Sequence, residues 1–333
     1  MGEKKHSAVL TTTAHFVPDR VVTNADLEKM VDTTDEWIRS RTGIGQRFFL
    51  DGEPTSFMAV DVARQLLERR QLDPREIDLI IVATITPDMM FPSTACLVQH
   101  QIGAERAWGY DLSAACSGFA FALVAAAQFI ENGAHRKVMV IGADKMSSII
   151  DFTDRSTCVL FGDGAGGVLL ERADDTDQGM VDFELHVDGS GGDCLNLRGG
   201  GSLHPTTHES IDQRLHYVYQ EGRTVFRFAV VKMAEVCDSL MQKNGLSGDQ
   251  LKLFVPHQAN LRIIDAAAER LGLRPEQVMI NIDRYANTTA ATIPIALSEA
   301  NDKGLLEAGD NVLFAGVGGG LTWGSVLWRW GKG

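Results

Sequence analysis

The second half of this 333-residue chain repeats the first, and a repeat leaves few architectures open to it. Asp111-Leu112-Ser113-Ala114-Ala115-Cys116 leads into an apolar helix that ends at Glu131-Asn132-Gly133 and is followed by the strand-like run KVMVIG. Later, Asp283-Arg284-Tyr285-Ala286-Asn287 leads into a second helix over residues 288–301, followed by NVLFAG over 311–316. Each half then closes on a glycine cluster and an apolar run, GDGAGGVLL over 162–170 and GVGGGLTWGSVL over 316–327. Two matched αβ units predict a duplication about a pseudo-twofold axis, with Cys116 and Asn287 at equivalent helix starts. Elsewhere strands and helices alternate. Residues 8–13 read as a strand, and residues 56–70 as a helix with Ala59, Val62, Ala63, Leu66 and Leu67 on one face. Residues 78–84 form the continuous run of a strand buried on both faces. The alternation predicts an α/β fold with largely parallel or mixed central sheets, divided into halves over 1–178 and 179–333.

Charge and cysteine usage narrow the function. With 31 basic and 44 acidic side chains the formal net charge is −13, which excludes the basic stripe a nucleic-acid binder needs. No apolar run approaches the ~20 residues that span a bilayer, and MGEKKHSAVL carries no apolar block or cleavage site, so the expected location is the cytoplasm. The five cysteines (96, 116, 158, 194 and 237) contain no C-x-x-C pair and the nine histidines no H-E-x-x-H, so neither a disulfide framework nor a metal site is expected. Gly162-x-Gly164-x-x-Gly167 fits a dinucleotide fingerprint in letters only. The run VLLER directly after it reads as a strand, where the fingerprint needs a helix.

A cysteine that matters here matters as a nucleophile. Cys116 falls at the start of a helix, where unpaired N–H groups and about half a positive charge favour thiolate over thiol, and Gly118 leaves room for a substrate. The competing reading is a small buried hydrophobe. His257 follows the apolar run LKLFV and Pro256, at the carboxyl end of a strand where α/β folds place ligand loops; taken alone it reads more readily as a satisfied core histidine. Asn287 by itself reads as a helix N-cap. A Cys, a His and an Asn, each at a strand-to-helix junction of a duplicated fold, are a less accidental set.

At these residues the chain resembles the β-ketoacyl-acyl carrier protein synthase III family, the initiating condensing enzymes of bacterial fatty acid synthesis. The resemblance covers nearly the whole chain and includes TNADLEKMVDTTDEWIRSRTGI, FPSTAC, the Cys116 segment, FGDGAG, VPHQANLRI, NTTAAT and GGGLTWGS. It implies a thiolase-like fold with two αβαβα-type halves, a homodimer, and no cofactor beyond the CoA thioester substrate. Cys116 would carry the acyl group from acyl-CoA, with the backbone N–H groups of Cys116 and Gly319 as an oxyanion hole. His257 and Asn287 would donate to the thioester carbonyl of malonyl-acyl carrier protein during decarboxylation.

Substrate contacts are implied by the same resemblance. Trp37 and Arg155 would sandwich the CoA adenine, Thr33 and Arg41 would touch the nucleotide, and Gly222, Phe226, Ala259 and Asn260 would wall the pantetheine tunnel. Phe91 would cross a dimer interface to floor the partner's acyl pocket, and Arg227 and Arg262 would dock the acidic carrier protein. Three departures from the family's usual pattern are Glu269-Arg270 in place of a lysine pair, Ala315 in place of an acid, and Tyr285-Ala286 in place of His-Gly before Asn287. Two alternatives remain at this level: a relative of secondary metabolism, of polyketide-starter or quinolone type, with another acyl donor or acceptor, and a non-catalytic carrier-protein-binding scaffold.

Overall fold

The structure, a computed structural model, describes residues 6–174 and 177–331; the leading MGEKK lies outside the described residues. The first sheet takes β1 (Ser7–Phe16), β2 (Leu79–Ala83), β3 (Trp108–Leu112), β4 (Lys137–Asp144) and β5 (Gly164–Ala173) in the order β1-β5-β4-β2-β3. The second takes β6 (Gly179–Val187), β7 (Leu253–Pro256), β8 (Asn311–Gly318) and β9 (Thr322–Arg329) in the order β7-β8-β9-β6. The two orders correspond strand for strand. In each, the glycine-rich closing strand runs antiparallel to both neighbours, and the next pair inward is parallel. The counterpart of β3 shrinks to a single parallel bridge, Phe254 to Val278. Both sheets are therefore mixed, and the duplication extends to strand sense.

Helices and sheets alternate in five layers. α1 (Asp35–Thr42) begins at Thr34, whose hydroxyl accepts from the Trp37 N–H as an N-cap, and stops at Gly43, where φ is +84°. α2 (Thr55–Arg70) and α3 (Thr94–Ile102) cover the outer face of the first sheet. α5 (Gly222–Lys243) covers the outer face of the second, with α6 (Leu261–Arg270) packed against α5 and sharing its core through Ile263 and Ala267. Between the sheets lie α4 (Gly118–Glu131) and α7 (Thr292–Asp302), which have apolar or small side chains on nearly every face and are almost wholly buried. One core joins them to both sheets: Phe119, Leu123, Ile293 and Leu297 pack with Ile81, Val140, Phe314 and Trp328, all fully buried. Gly164 opens β5 instead of a helix, so the dinucleotide-like glycine pattern is strand geometry. Among the described residues no helix is long and apolar enough to cross a membrane.

Candidate active site

Two sharp turns pack against each other where the halves meet. In the first, Ala115 takes a left-handed φ of +47°, and the 3-10 turn Ala115–Ser117 presents Cys116 at the entrance to α4. In the second, Thr289 takes φ +52°, and the turn Thr289–Ala291 leads into α7. Laid on one another, the turns set Ala115 opposite Thr289 and Cys116 opposite Ala290. This corrects one expectation: the helix starts are equivalent, but Asn287 lies three positions before the true counterpart of Cys116. Neither left-handed residue is a glycine, so nothing in the letters marks these turns.

Each sheet meets the turn of the other half at a glycine. A Cβ on Gly142 of β4 would collide with the Ala290 carbonyl, and one on Gly316 of β8 would lie 3.2 Å from Ser117 Cα. Two residues on, the symmetry breaks, because β4 ends in Asp144 and β8 in Gly318. A Cβ on Gly318 would sit 2.7 Å from the Cys116 nitrogen and 3.0 Å from that of Ser117, so glycine keeps the space against those amides open. Thr322 ties the region together, its hydroxyl lying 3.0 Å from the Ala114 carbonyl oxygen and 3.3 Å from that of Gly319.

His257 follows β7 directly, and its backbone N–H donates to the Ala315 carbonyl at 2.7 Å. The fully buried Gln258 next to it donates to Pro256 and Met279 carbonyls and accepts from the Asn281 and Ile282 N–H groups, which fixes the turn. The imidazole Nδ1 lies 2.6 Å from Thr292 Oγ1, while Nε2 is buried with no hydrogen-bond partner. The Thr292 hydroxyl also lies 3.1 Å from the Thr289 carbonyl oxygen. The tautomer in which the hydroxyl donates to Nδ1 carries the ring proton on Nε2, as an N–H with no partner. Burial pushes the imidazole down to about 3, so it is neutral.

Asn287 is fixed by its backbone and by its side chain. Its N–H donates to the Leu160 carbonyl and its C=O accepts from the Gly162 N–H, each at 3.0 Å. Its Oδ1 accepts from the Thr289 N–H at 2.9 Å. Because a backbone N–H must face the oxygen, the amide Nδ2 is the end left to donate. The unusual Tyr285 has a task nearby: its hydroxyl and the Arg284 guanidinium both bond Glu299 of α7, clamping the short helix Ile282–Tyr285 that precedes Asn287.

Cys116, His257 and Asn287 line one cavity of about 550 Å³, together with Trp37, Arg41, Gly222, Phe226, Ala259 and Asn260. A smaller apolar pocket of about 180 Å³ lies against Cys116 and Gly319, walled by Ile85, Met146, Ile149, Leu197 and Val218. Thr33, Arg155, Arg227 and Arg262 are not among the lining residues of either. Arg155 instead lies over the Trp37 ring, 4.7 Å from its centroid, and donates to the Asp32 carbonyl. Arg262 stacks on Phe226 at 4.7 Å, at the cavity's edge, and Arg227 is exposed. Phe91 is 85% exposed beside the exposed Met89 and Met90, and lines neither of these two cavities.

The expectation of a standing thiolate is corrected. Burial pushes the Cys116 thiol up to about 12, the nearby Asp144 charge acts in the same direction, and the residue's own N–H pulls only weakly the other way. The helix start favours thiolate, but enclosure outweighs it, so the resting pair is a neutral thiol and a neutral imidazole. No hydrogen bond joins Sγ to His257 Nε2 in this arrangement. Alkylation of the free enzyme by iodoacetamide is expected to keep accelerating from pH 7 to pH 9 as thiolate forms; a plateau with its midpoint below pH 8 would contradict a raised thiol pKa.

Duplicated αβαβα halves with a cysteine turn at their shared boundary make this chain a thiolase-fold acyltransferase of the condensing type. The profile of 3-oxoacyl-[acyl-carrier-protein] synthase III matches residues 110–189, and that of the C-terminal part of the same enzymes matches 241–330. A beta-ketoacyl-[acyl-carrier-protein] synthase III of Chlorobium luteolum is 56% identical over 327 residues, spanning 97% of this chain and 99% of that protein. The chain belongs to the β-ketoacyl-acyl carrier protein synthase III family. The crystal structure of 3-oxoacyl-[acyl-carrier-protein] synthase III from Aquifex aeolicus superposes with a TM-score of 0.88 at 44% identity, over 98% of this chain and 100% of that one. The priming β-ketosynthase of the R1128 polyketide pathway superposes with a TM-score of 0.91 at 32% identity, over 100% of this chain and 98% of that one.

Sequence reasoning passed over Asp144, Gly318 and Thr292. Asp144 carries a readable signal, an acid ending a strand that is apolar from Val138 to Ala143, and aligning KVMVIGAD with NVLFAGVG would have paired it with Gly318. Thr292 has no such signal.

Proposed function

We propose that the protein catalyses the decarboxylating condensation of a short acyl-CoA primer with malonyl-acyl carrier protein, giving 3-ketoacyl-acyl carrier protein, CO2 and CoA. The observation that carries this reading is the common cavity of Cys116, His257 and Asn287, with one nucleophile and two neutral donors. Cys116 Sγ attacks the acyl-CoA carbonyl, the carbonyl–sulfur bond to CoA breaks, and the proton from Sγ ends on the departing CoA sulfur. The N–H groups of Cys116 and Gly319 stabilise the oxyanion on the way.

In the second half-reaction the malonyl thioester loses CO2, and the electron pair of the broken C–C bond moves onto the thioester oxygen. His257 Nε2–H and Asn287 Nδ2–H stabilise the charge there. The enolate carbon then attacks acyl-Cys116, the thioester bond breaks, and a proton from solvent restores the thiol. The apolar pocket of about 180 Å³ suits a short straight or branched acyl chain.

CoA enters along Trp37, Arg41, Gly222, Phe226, Ala259 and Asn260, with Thr33 beside the nucleotide. Adenine enters between the Trp37 ring and the Arg155 guanidinium that lies over it. Arg262 and Arg227 meet the acidic carrier protein, with Glu269 weakening that patch. Phe91 reaches a partner chain in a cytoplasmic homodimer, the halves dividing near residue 178. Purified protein given acetyl-CoA and malonyl-acyl carrier protein is expected to yield acetoacetyl-acyl carrier protein. Acylation of Cys116 without that product would favour a relative of the secondary-metabolism type, and no acylation at all would favour a scaffold.

A further inference from the structure

The broken symmetry at the ends of β4 and β8 has a chemical meaning. Asp144 is fully buried and directs its two oxygens to different parts of the fold. Oδ1 accepts from Thr84 Oγ1 (3.0 Å), the Ile85 N–H (2.8 Å), the Thr86 N–H (3.1 Å) and Thr86 Oγ1 (3.0 Å). Oδ2 accepts from Thr289 Oγ1 and, at 3.3 Å, from the Ala290 N–H. The Ala290 N–H is the counterpart of the Cys116 N–H. A carboxylate oxygen therefore rests on the second turn at the place corresponding to the oxyanion position of the first.

Thr289 is a β-branched residue at φ +52°, a conformation that surrounding contacts must hold. Three groups of this one residue serve three partners. Its hydroxyl donates to Asp144, its N–H donates to Asn287 Oδ1, and its carbonyl oxygen lies against the Thr292 hydroxyl that contacts His257 Nδ1. Both donors of the second half-reaction thus converge on a turn whose side chain and following amide end on one buried carboxylate. The nucleophile's turn has Gly318 at the corresponding place and makes no such contact.

We propose that Asp144 is a positioning residue: it holds the Thr289 turn in its left-handed conformation and so orients Asn287 and His257 for decarboxylation, without touching substrate. This rests on the decarboxylating reading above. Asp144→Asn keeps the size of the side chain. Its amide oxygen suits the four donors at Oδ1, so its NH2 falls against Thr289 and Ala290: the Ala290 N–H then faces a donor, and the Thr289 hydroxyl loses its carboxylate acceptor and turns to the Thr288 carbonyl.

The test measures each half-reaction separately in the full-length protein, with melting temperature as a control for folding. Acylation of Cys116 by acetyl-CoA is read by intact mass, and decarboxylation by CO2 released from malonyl-acyl carrier protein. Asp144→Asn is expected to acylate within about threefold of the unsubstituted protein while its decarboxylation falls about 10²-fold, the scale of a misplaced catalytic group. Thr289→Ala removes the same link from the other side and is expected to show the same split, while Thr289→Ser restores the unsubstituted rates. Equal losses in both half-reactions, or no loss in either, would overturn the proposal. If Asp144→Asn does not fold, the Thr289 pair decides it by the same criteria. Absence of decarboxylation in the unsubstituted protein would instead overturn the function proposed above.

Discussion

His257→Ala is expected to form acyl-Cys116 at a rate within about tenfold of the unsubstituted protein, yet to lose decarboxylation and condensation by about 10²–10³, the usual cost of removing one preorganised donor. The reason is geometric. Nε2 is buried and has no hydrogen-bond partner, so none runs to the Cys116 sulfur, and burial pushes the ring down to about 3, keeping it neutral. Such a group is poorly placed to take the Cys116 proton and well placed to donate to an oxygen where charge develops. Acylation needs only the nucleophile and its oxyanion donors. Separate measurement of thioester formation and CO2 release checks this, and parallel loss of both would mean that the imidazole also serves the thiol.

Gly318→Ala has the opposite signature. The added methyl would lie 2.7 Å from the Cys116 nitrogen and 3.0 Å from that of Ser117, in the space the oxyanion needs. Strand β8 cannot retreat easily, because it is hydrogen-bonded to β7 on one side and β9 on the other. Acylation itself is therefore expected to fall about 10²–10³-fold. Decarboxylation of malonyl-acyl carrier protein, which depends on His257 and Asn287, should fall far less. Normal acylation by this variant would show that the Cys116 N–H is not an oxyanion donor. The two substitutions together separate the site into a half that holds the acyl group and a half that makes the carbanion.

Much of the fold and site is legible in the chain itself. The repeat foretells two matching sheets, and three junction residues, Cys116, His257 and Asn287, do share one cavity. What escapes the letters depends on the third dimension. The left-handed turns fall on Ala115 and Thr289, neither of which advertises a positive φ, so the register between the halves is misjudged by three residues at Asn287. The thiolate expectation fails because a helix start is local, whereas the burial that pushes Cys116 upward comes from both halves closing over it. The Arg155 guanidinium lies over the Trp37 ring, a stacking that the spacing of residues 37 and 155 does not reveal. Asp144 and Gly318 take on meaning only when the ends of two strands distant in sequence are compared.

The central claim is that one sulfur, and no other, carries the acyl group. Exposing the protein to acetyl-CoA and weighing it intact tests this directly. The expected result is a single acetyl group per chain, located on Cys116 by peptide mapping and absent from Cys116→Ala, with the exposed Cys96 and the half-buried Cys194 unmodified. An unmodified chain, or an acetyl group that persists in Cys116→Ala, would contradict it.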